Sequence, residues 1–260
     1  MKIFIDIGNT NILFGKFDNN SRLVSQLRIV TSELDNSDSD NSNLMKKKIL
    51  DFFSYNCTNC VIAGVVPDSM TILKSYLAKT FPNIDIYEIN NSYLSKIIKI
   101  KVKSPEEVGV DRLINALSAS KLFKPPLIII DFGTATTFDL VDSDSAYIGG
   151  LICPGVNLSI QSLANKTAKL PLIEFKKVDH LVGQDTKSAI ESGLYWGYVS
   201  LVKGLINKIR NKDEFKKATI IATGGLSGIF NEDINEIDHF ESDLTLKGIN
   251  YIHNNYDIKK

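Results

Sequence analysis

Ile3-Phe4-Ile5-Asp6-Ile7-Gly8-Asn9-Thr10-Asn11-Ile12-Leu13-Phe14-Gly15 runs through an apolar stretch to a polar tip and back into a second apolar stretch. β-Branched and aromatic side chains suit a pleated, half-buried surface, and Gly8-Asn9-Thr10 has turn chemistry, so the segment predicts a β-hairpin. The tip suits a phosphate. Gly8 lets backbone approach a ligand closely, Asn9 and Thr10 offer donors, and Asp6 at the strand end can hold a cation that bridges phosphates. Taken alone the hairpin is a weak signal, because such turns are common in proteins that bind nothing.

A second copy changes that reading. Ile129-Ile130-Asp131-Phe132-Gly133-Thr134-Ala135-Thr136-Thr137-Phe138-Asp139-Leu140-Val141-Asp142 repeats the apolar strand, the Asp-x-Gly, a threonine-rich turn and a returning apolar strand. Asp6 and Asp131 are about one domain length apart. Two such hairpins facing each other would grip one polyphosphate from both sides.

With 260 residues and 43% hydrophobic content the chain can bury substantial cores. Thirty basic residues balance thirty acidic ones, which removes any general attraction to nucleic acid or an anionic membrane. Lysine clusters at 46–48 and 96–103 read as solvated faces. The start of the chain lacks a signal-peptide pattern and no stretch of eighteen apolar residues occurs, so a cytoplasmic, membrane-free protein is expected. Cys57, Cys60 and Cys153 lack a zinc-like second pair and read as reduced structural thiols. His180, His239 and His253 read as structural or solvated.

Along the chain, 23–30 predicts a third strand of an antiparallel meander. The Asn/Ser/Asp tract at 32–43 reads as a mobile loop or helix-capping linker. Helices are expected at 44–53 and 69–80, and strands at 60–66 and 84–89. The order β-β-β-α-β-α-β predicts a mixed sheet with helices packed against it. An exposed strand at 99–103 leads to Gly109-Val110-Asp111-Arg112, which opens a helix at 113–123. There Asp111 either caps the helix or does chemistry. After the second hairpin come a turn at Cys153-Pro154-Gly155, a helix at 156–167, an extended segment at 171–178 and a long helix at 189–210. A buried strand at 218–222 then runs into Thr223-Gly224-Gly225, a turn that also suits an adenosine or phosphate contact. A strand and a helix close the chain.

The P-loop and dinucleotide fingerprints are absent, as is the Gly-x-Ser-x-Gly elbow. The duplicated Asp-x-Gly hairpins with a late Thr-Gly-Gly resemble the superfamily of acetate and sugar kinases, Hsp70 and actin. Within it five groups of residues, in order along nearly the whole chain, resemble type III pantothenate kinase. They are Asp6-Ile7-Gly8-Asn9-Thr10, Gly109-Val110-Asp111-Arg112, Asp131 to Thr137, Gly149-Gly150 with Pro154-Gly155, and Thr186 ahead of Gly193.

The resemblance implies an α/β fold of mixed sheets in two ribonuclease-H-like domains, expected at 1–115 and 116–260, with ATP between them. It implies phosphoryl transfer from ATP to the hydroxyl of pantothenate, the first step toward coenzyme A. ATP phosphates fall to Asp6, Ile7, Gly8, Asn9, Thr10, Asn11, Ile12 and Leu13, with Thr134 a further ATP contact and Asp6 a Mg2+ contact, directly or through water. Asp111 takes the place of the catalytic base, within the substrate stretch Gly109, Val110, Asp111 and Arg112, and Thr186 that of a pantothenate contact. Asp131 takes the place of the ligand to a monovalent cation, K+ or NH4+. A homodimer is expected, with contact through the helix bearing Gly193 and Gly197. Val102 departs from the family, many of whose members carry an aromatic residue three positions before the proline of Pro-x-x-x-Gly-x-Asp-Arg. Two alternatives stand beside this reading: a superfamily kinase for another small alcohol, and a non-catalytic regulator of the Bvg accessory type.

Overall fold

The computed structural model describes residues 1–35, 40–53, 57, 59–167 and 170–258. In chain order the elements are β1 (Lys2–Ile7), β2 (Asn11–Phe17), β3 (Leu23–Val30), α1 (Thr31–Asp35), α2 (Asp40–Phe52), β4 (Asn59–Gly64), α3 (Pro67–Thr80), β5 (Asp85–Ile89) and α4 (Asn91–Leu94). They continue with α5 (Val110–Leu122), β6 (Leu127–Phe132), β7 (Ala135–Val141), β8 (Tyr147–Pro154), α6 (Val156–Lys166), α7 (Thr186–Arg210), β9 (Thr219–Thr223), β10 (His239–Phe240) and α8 (Leu244–Asn255).

Both predicted hairpins form. β1 pairs antiparallel with β2, Asp6 facing Leu13, and β6 pairs antiparallel with β7, Asp131 facing Thr137. The duplication extends well beyond them. One five-stranded sheet has the order β3-β2-β1-β4-β5 and the other β8-β7-β6-β9-β10, so each places its third, second, first, fourth and fifth strands in the same sequence. In each, the first three strands are antiparallel and the last two join the first in parallel.

Side chains alternate across a strand, and that alternation sorts the two faces. Ile3, Ile5 and Ile7 enter a core with Ile12, Phe14, Ile62 and the helix residues Leu34, Ile49, Leu73 and Leu77. Asp6, between Ile5 and Ile7, points to the opposite face. In the second sheet Ile128, Ile130 and Phe132 enter a core with Tyr195, Val199, Val202 and Phe230, which leaves Asp131 on the other face. Each fully buried Ile, Leu or Phe contributes about 1.5–3 kcal/mol, so a register slip that carried either aspartate into these cores would move a whole row of apolar side chains out of them.

Two compact units result. The first comprises Met1–Lys99, Lys103–Ser118 and Thr245–Lys260, the second Ile100–Val102 and Ala119–Leu244. This differs from the expected division at 115/116, because the C-terminal helix α8 returns to the first unit. Gly248 lies so close to α5 that a Cβ would come within 2.5 Å of Ile114 Cγ2. Thr245 Oγ1 donates to Asn115 Oδ1 at 2.8 Å, and the His253 ring lies 5.6 Å from that of Phe4.

Three local expectations change. The tract 32–43 is helical at both described ends, and residues 36–39 lie outside the described residues. At 99–103 there is one bridge, Ile100 to Tyr147, in place of a strand. The turn expected at 153–155 begins later, since β8 runs through Pro154 and Gly155 caps α6. Among the described residues no helix is long and apolar enough to cross a membrane.

Candidate active site

The tip of the first hairpin is tied down from behind and left open in front. Gly8 N–H donates to Asn11 O at 3.0 Å, closing the turn. Thr31, buried where β3 passes into α1, binds the tip twice: its N–H donates to Thr10 O at 2.9 Å and its Oγ1–H to Gly8 O at 2.7 Å. Val65 N–H donates to Ile7 O at 3.0 Å. Asn9 and Thr10 are exposed, while Ile7 and Ile12 belong to the core. Of the eight residues expected on the phosphates, the two isoleucines therefore have only backbone groups to offer. Thr31 had no signature in the sequence beyond following a strand.

The second hairpin is built the same way. Gly133 N–H donates to Ala135 O and Gly155 N–H to Thr134 O, both at 3.1 Å. A Cβ on Gly155 would lie 2.2 Å from Thr134 O, so only glycine permits this approach. Asp131 faces Thr137 on one side and Thr223 on the other. Gly224, at φ +89°, sits so near that a Cβ would fall 2.4 Å from Asp131 Oδ1 and 2.7 Å from Phe132 N. The Thr223-Gly224 turn thus frames the Asp131 carboxylate, a placement that its sequence left open between a simple turn and a ligand contact. Thr134 is exposed at the tip.

Gly109-Val110-Asp111-Arg112 forms the start of α5. Asp111 and Arg112 are partly buried, and Asp111 Oδ1 accepts the Arg112 backbone N–H at 2.8 Å. A Cβ on Gly109 would lie 2.5 Å from the same oxygen, so the glycine clears room for the carboxylate. Burial pushes the Asp111 carboxyl above its ordinary range, against the lowering pull of the Arg112 N–H and guanidinium. A carboxylate made more basic, fixed on a rigid helix start, is suited to accept a proton.

Thr186 is the exposed first residue of α7, behind an Asp185 cap whose carboxylate accepts Ser188 N–H at 2.9 Å. Tyr195 and Tyr198 of this helix point into the core of their own unit. Gly193 and Gly197 are exposed, and a Cβ at either would meet nothing within 4 Å. The helix therefore offers a face of small residues, not the aromatic one. Val102 lies beside Gly149, whose Cβ would be 3.7 Å from Val102 Cγ1.

The cysteines and histidines lie apart from these hairpins in sequence, and each has its own local setting. Burial raises the thiols of Cys57 and Cys60, and Cys57 Sγ–H donates to Asn59 O at 3.4 Å. His239 stacks on Phe123, with ring centroids 4.4 Å apart. Among the described residues no three of His, Cys, Asp and Glu gather as a metal cage.

The family model described as type III pantothenate kinase matches residues 2–208. The type III pantothenate kinase of Caulobacter vibrioides is 39% identical over 255 residues, covering 96% of this chain and 95% of its own. That of Gluconobacter oxydans is 40% identical over 252 residues, covering 96% and 91%. Among solved structures, the ethanolamine utilization protein EutJ from Carboxydothermus hydrogenoformans superposes with a TM-score of 0.56 at 12% identity, over 96% of this chain and 88% of that one. At that identity the likeness shows a shared fold, here two five-stranded mixed sheets with packed helices. Matched along nearly its full length, the chain belongs to the type III pantothenate kinase family.

Proposed function

We propose that this protein phosphorylates pantothenate in the cytoplasm, passing the γ-phosphoryl group of ATP to the pantothenate hydroxyl to give 4'-phosphopantothenate, the first step of coenzyme A biosynthesis. The observation that carries the reading is the Asp111 carboxylate, partly buried at the start of α5 and given room by Gly109. As the hydroxyl oxygen bonds to phosphorus, its proton passes to this carboxylate and ADP departs. Arg112 steadies the substrate or the charge that develops on the phosphoryl group.

The open tip around Gly8, Asn9 and Thr10 cradles ATP phosphates with backbone and side-chain donors, and Thr134 adds an ATP contact. Gly109, Val110, Arg112 and Thr186 hold pantothenate. Mg2+ takes one or two carboxylates plus substrate phosphates rather than a full protein cage, so a single aspartate, Asp6, fits it. Asp131, set among threonines and glycines, fits a monovalent cation, K+ or NH4+. Together these ions would neutralise charge along the polyphosphate. The protein acts as a homodimer, for which the small-residue face of α7 is suited.

A phosphoryl-acceptor screen with ATP and Mg2+ tests the assignment. Pantothenate-dependent ADP release is expected. Release with a different alcohol would point to another kinase of the superfamily, and ATP binding without turnover on any acceptor would point to a regulator.

A further inference from the structure

We propose that Asn91, outside every motif of the family, is a positioning residue for Asp111, holding the peptide that carries Gly109 against the Asp111 carboxylate. The inference rests on Asp111 being the base.

Asn91 is the first residue of α4, and its neighbour Asn90 is the helix cap, accepting Tyr93 N–H at 2.9 Å. With the helix start pinned, the Asn91 side chain reaches across to the segment ahead of α5. Its Nδ2 lies 3.1 Å from Pro105 O, 3.1 Å from Glu106 O and 2.7 Å from Val108 O. Three converging carbonyls can be met only by a donor, which fixes the amide orientation. Among the described residues Asn91 Oδ1 is buried and accepts nothing, so the position uses the amide for its N–H groups alone.

The shortest of the three bonds matters most. Val108 O belongs to the peptide that enters Gly109, and Gly109 is the residue with its vacant Cβ position 2.5 Å from Asp111 Oδ1. Two internal bonds shape the same segment, Glu107 N–H to Ser104 O and Val108 N–H to Pro105 O, but at 3.2 and 3.3 Å they are long. A rotation of the Val108–Gly109 peptide would move Gly109 into the carboxylate or away from it. Asn91 is the side chain that resists this rotation.

The test uses Asn91→Ser, which leaves at most one donor, and Asn91→Asp, which keeps the shape and turns oxygen toward the three carbonyls. Turnover is referred to the number of ATP-binding sites, so misfolding lowers the site count and not kcat. Misplacing a catalytic group by about an ångström costs on the order of a hundredfold, so kcat should fall roughly ten- to a hundredfold in Asn91→Ser and at least as far in Asn91→Asp. KM for ATP should be unchanged. In an Asp111→Asn background the Asn91→Ser change should lower residual turnover by no more than about twofold, because residues that act as a unit are not additive. Either wild-type kcat per ATP site in both Asn91 variants, or a full additive loss in the double variant, overturns the proposal. Near-wild-type turnover of Asp111→Asn alone would instead sink the assignment of the base, a separate and distinguishable failure.

Discussion

Asp111→Asn is expected to abolish most pantothenate phosphorylation while sparing both ATP binding and stability. In the wild type Oδ1 accepts the Arg112 N–H at 2.8 Å. The asparagine carbonyl can keep that bond, which turns its NH2 to where Oδ2 stands. The acceptor hydroxyl then meets a donor where it needs a base. Loss of a general base costs roughly a hundred- to ten-thousandfold in rate, or about 3–5 kcal/mol of transition-state stabilisation. A loose phosphoryl-transfer transition state needs little help in deprotonation, so the lower end of this range is expected. The Asp6 hairpin is untouched, so nucleotide affinity should hold.

Stability supplies a second readout with a definite sign. Burial raises the folded-state carboxyl above its unfolded value. Between the two values the folded chain binds more protons than the unfolded chain, so this group's contribution to stability declines as pH rises through that window. At neutral pH the ionised carboxylate is thus a cost that asparagine removes, and the melting temperature should not drop. For activity the same shift means that wild-type kcat/KM falls as acid protonates the base, with its acid limb above the ordinary aspartate range. A coupled ADP-release assay across pH, isothermal titration with ATP and thermal melts measure all three. Turnover within about threefold of wild type would remove Asp111 from the mechanism, since a missing general base costs far more than that.

Full activity is expected to require K+ or NH4+ beside Mg2+, because Asp131 alone is proposed to hold the monovalent ion; undiminished turnover in rigorously sodium-only buffer would contradict this. Gly197→Arg should shift the protein from dimer to monomer in light scattering without unfolding it, since a side chain there meets open space within the protomer; a stable dimer in the variant would exclude this face of α7 as the contact. Gly155→Ala should lower the melting temperature and activity together, because its Cβ would fall 2.2 Å from Thr134 O and overpacking costs about 1–3 kcal/mol. An unchanged melt would show that the hairpin tip yields freely.

What the amino-acid sequence determined by itself was local. Unbroken runs of β-branched and aromatic residues mark β1 and β6 as strands buried on both faces, and Asp-x-Gly at each tip sets where the strands turn. Both depend on contacts within a dozen residues, so both hairpins and the place of Asp111 in the first turn of α5 were legible without coordinates, whereas α1 and α4 were not foreseen and 99–103 was expected as a strand. Tertiary structure alone decided what depends on distant partners. Nothing near residue 248 announces that α8 returns to the first unit, because what places it there is a close approach to Ile114 on α5. Thr31 looks like any strand-end threonine until Gly8 O and Thr10 O come within reach. Gly224 reads as a turn until Asp131 lies beside it. Asn91 reads as one more polar residue after a strand until three carbonyls from 105–108 converge on its amide. Propensity and periodicity act along the chain, whereas the groups that hold a reactive side chain in place are chosen by proximity in space, which only the folded packing creates.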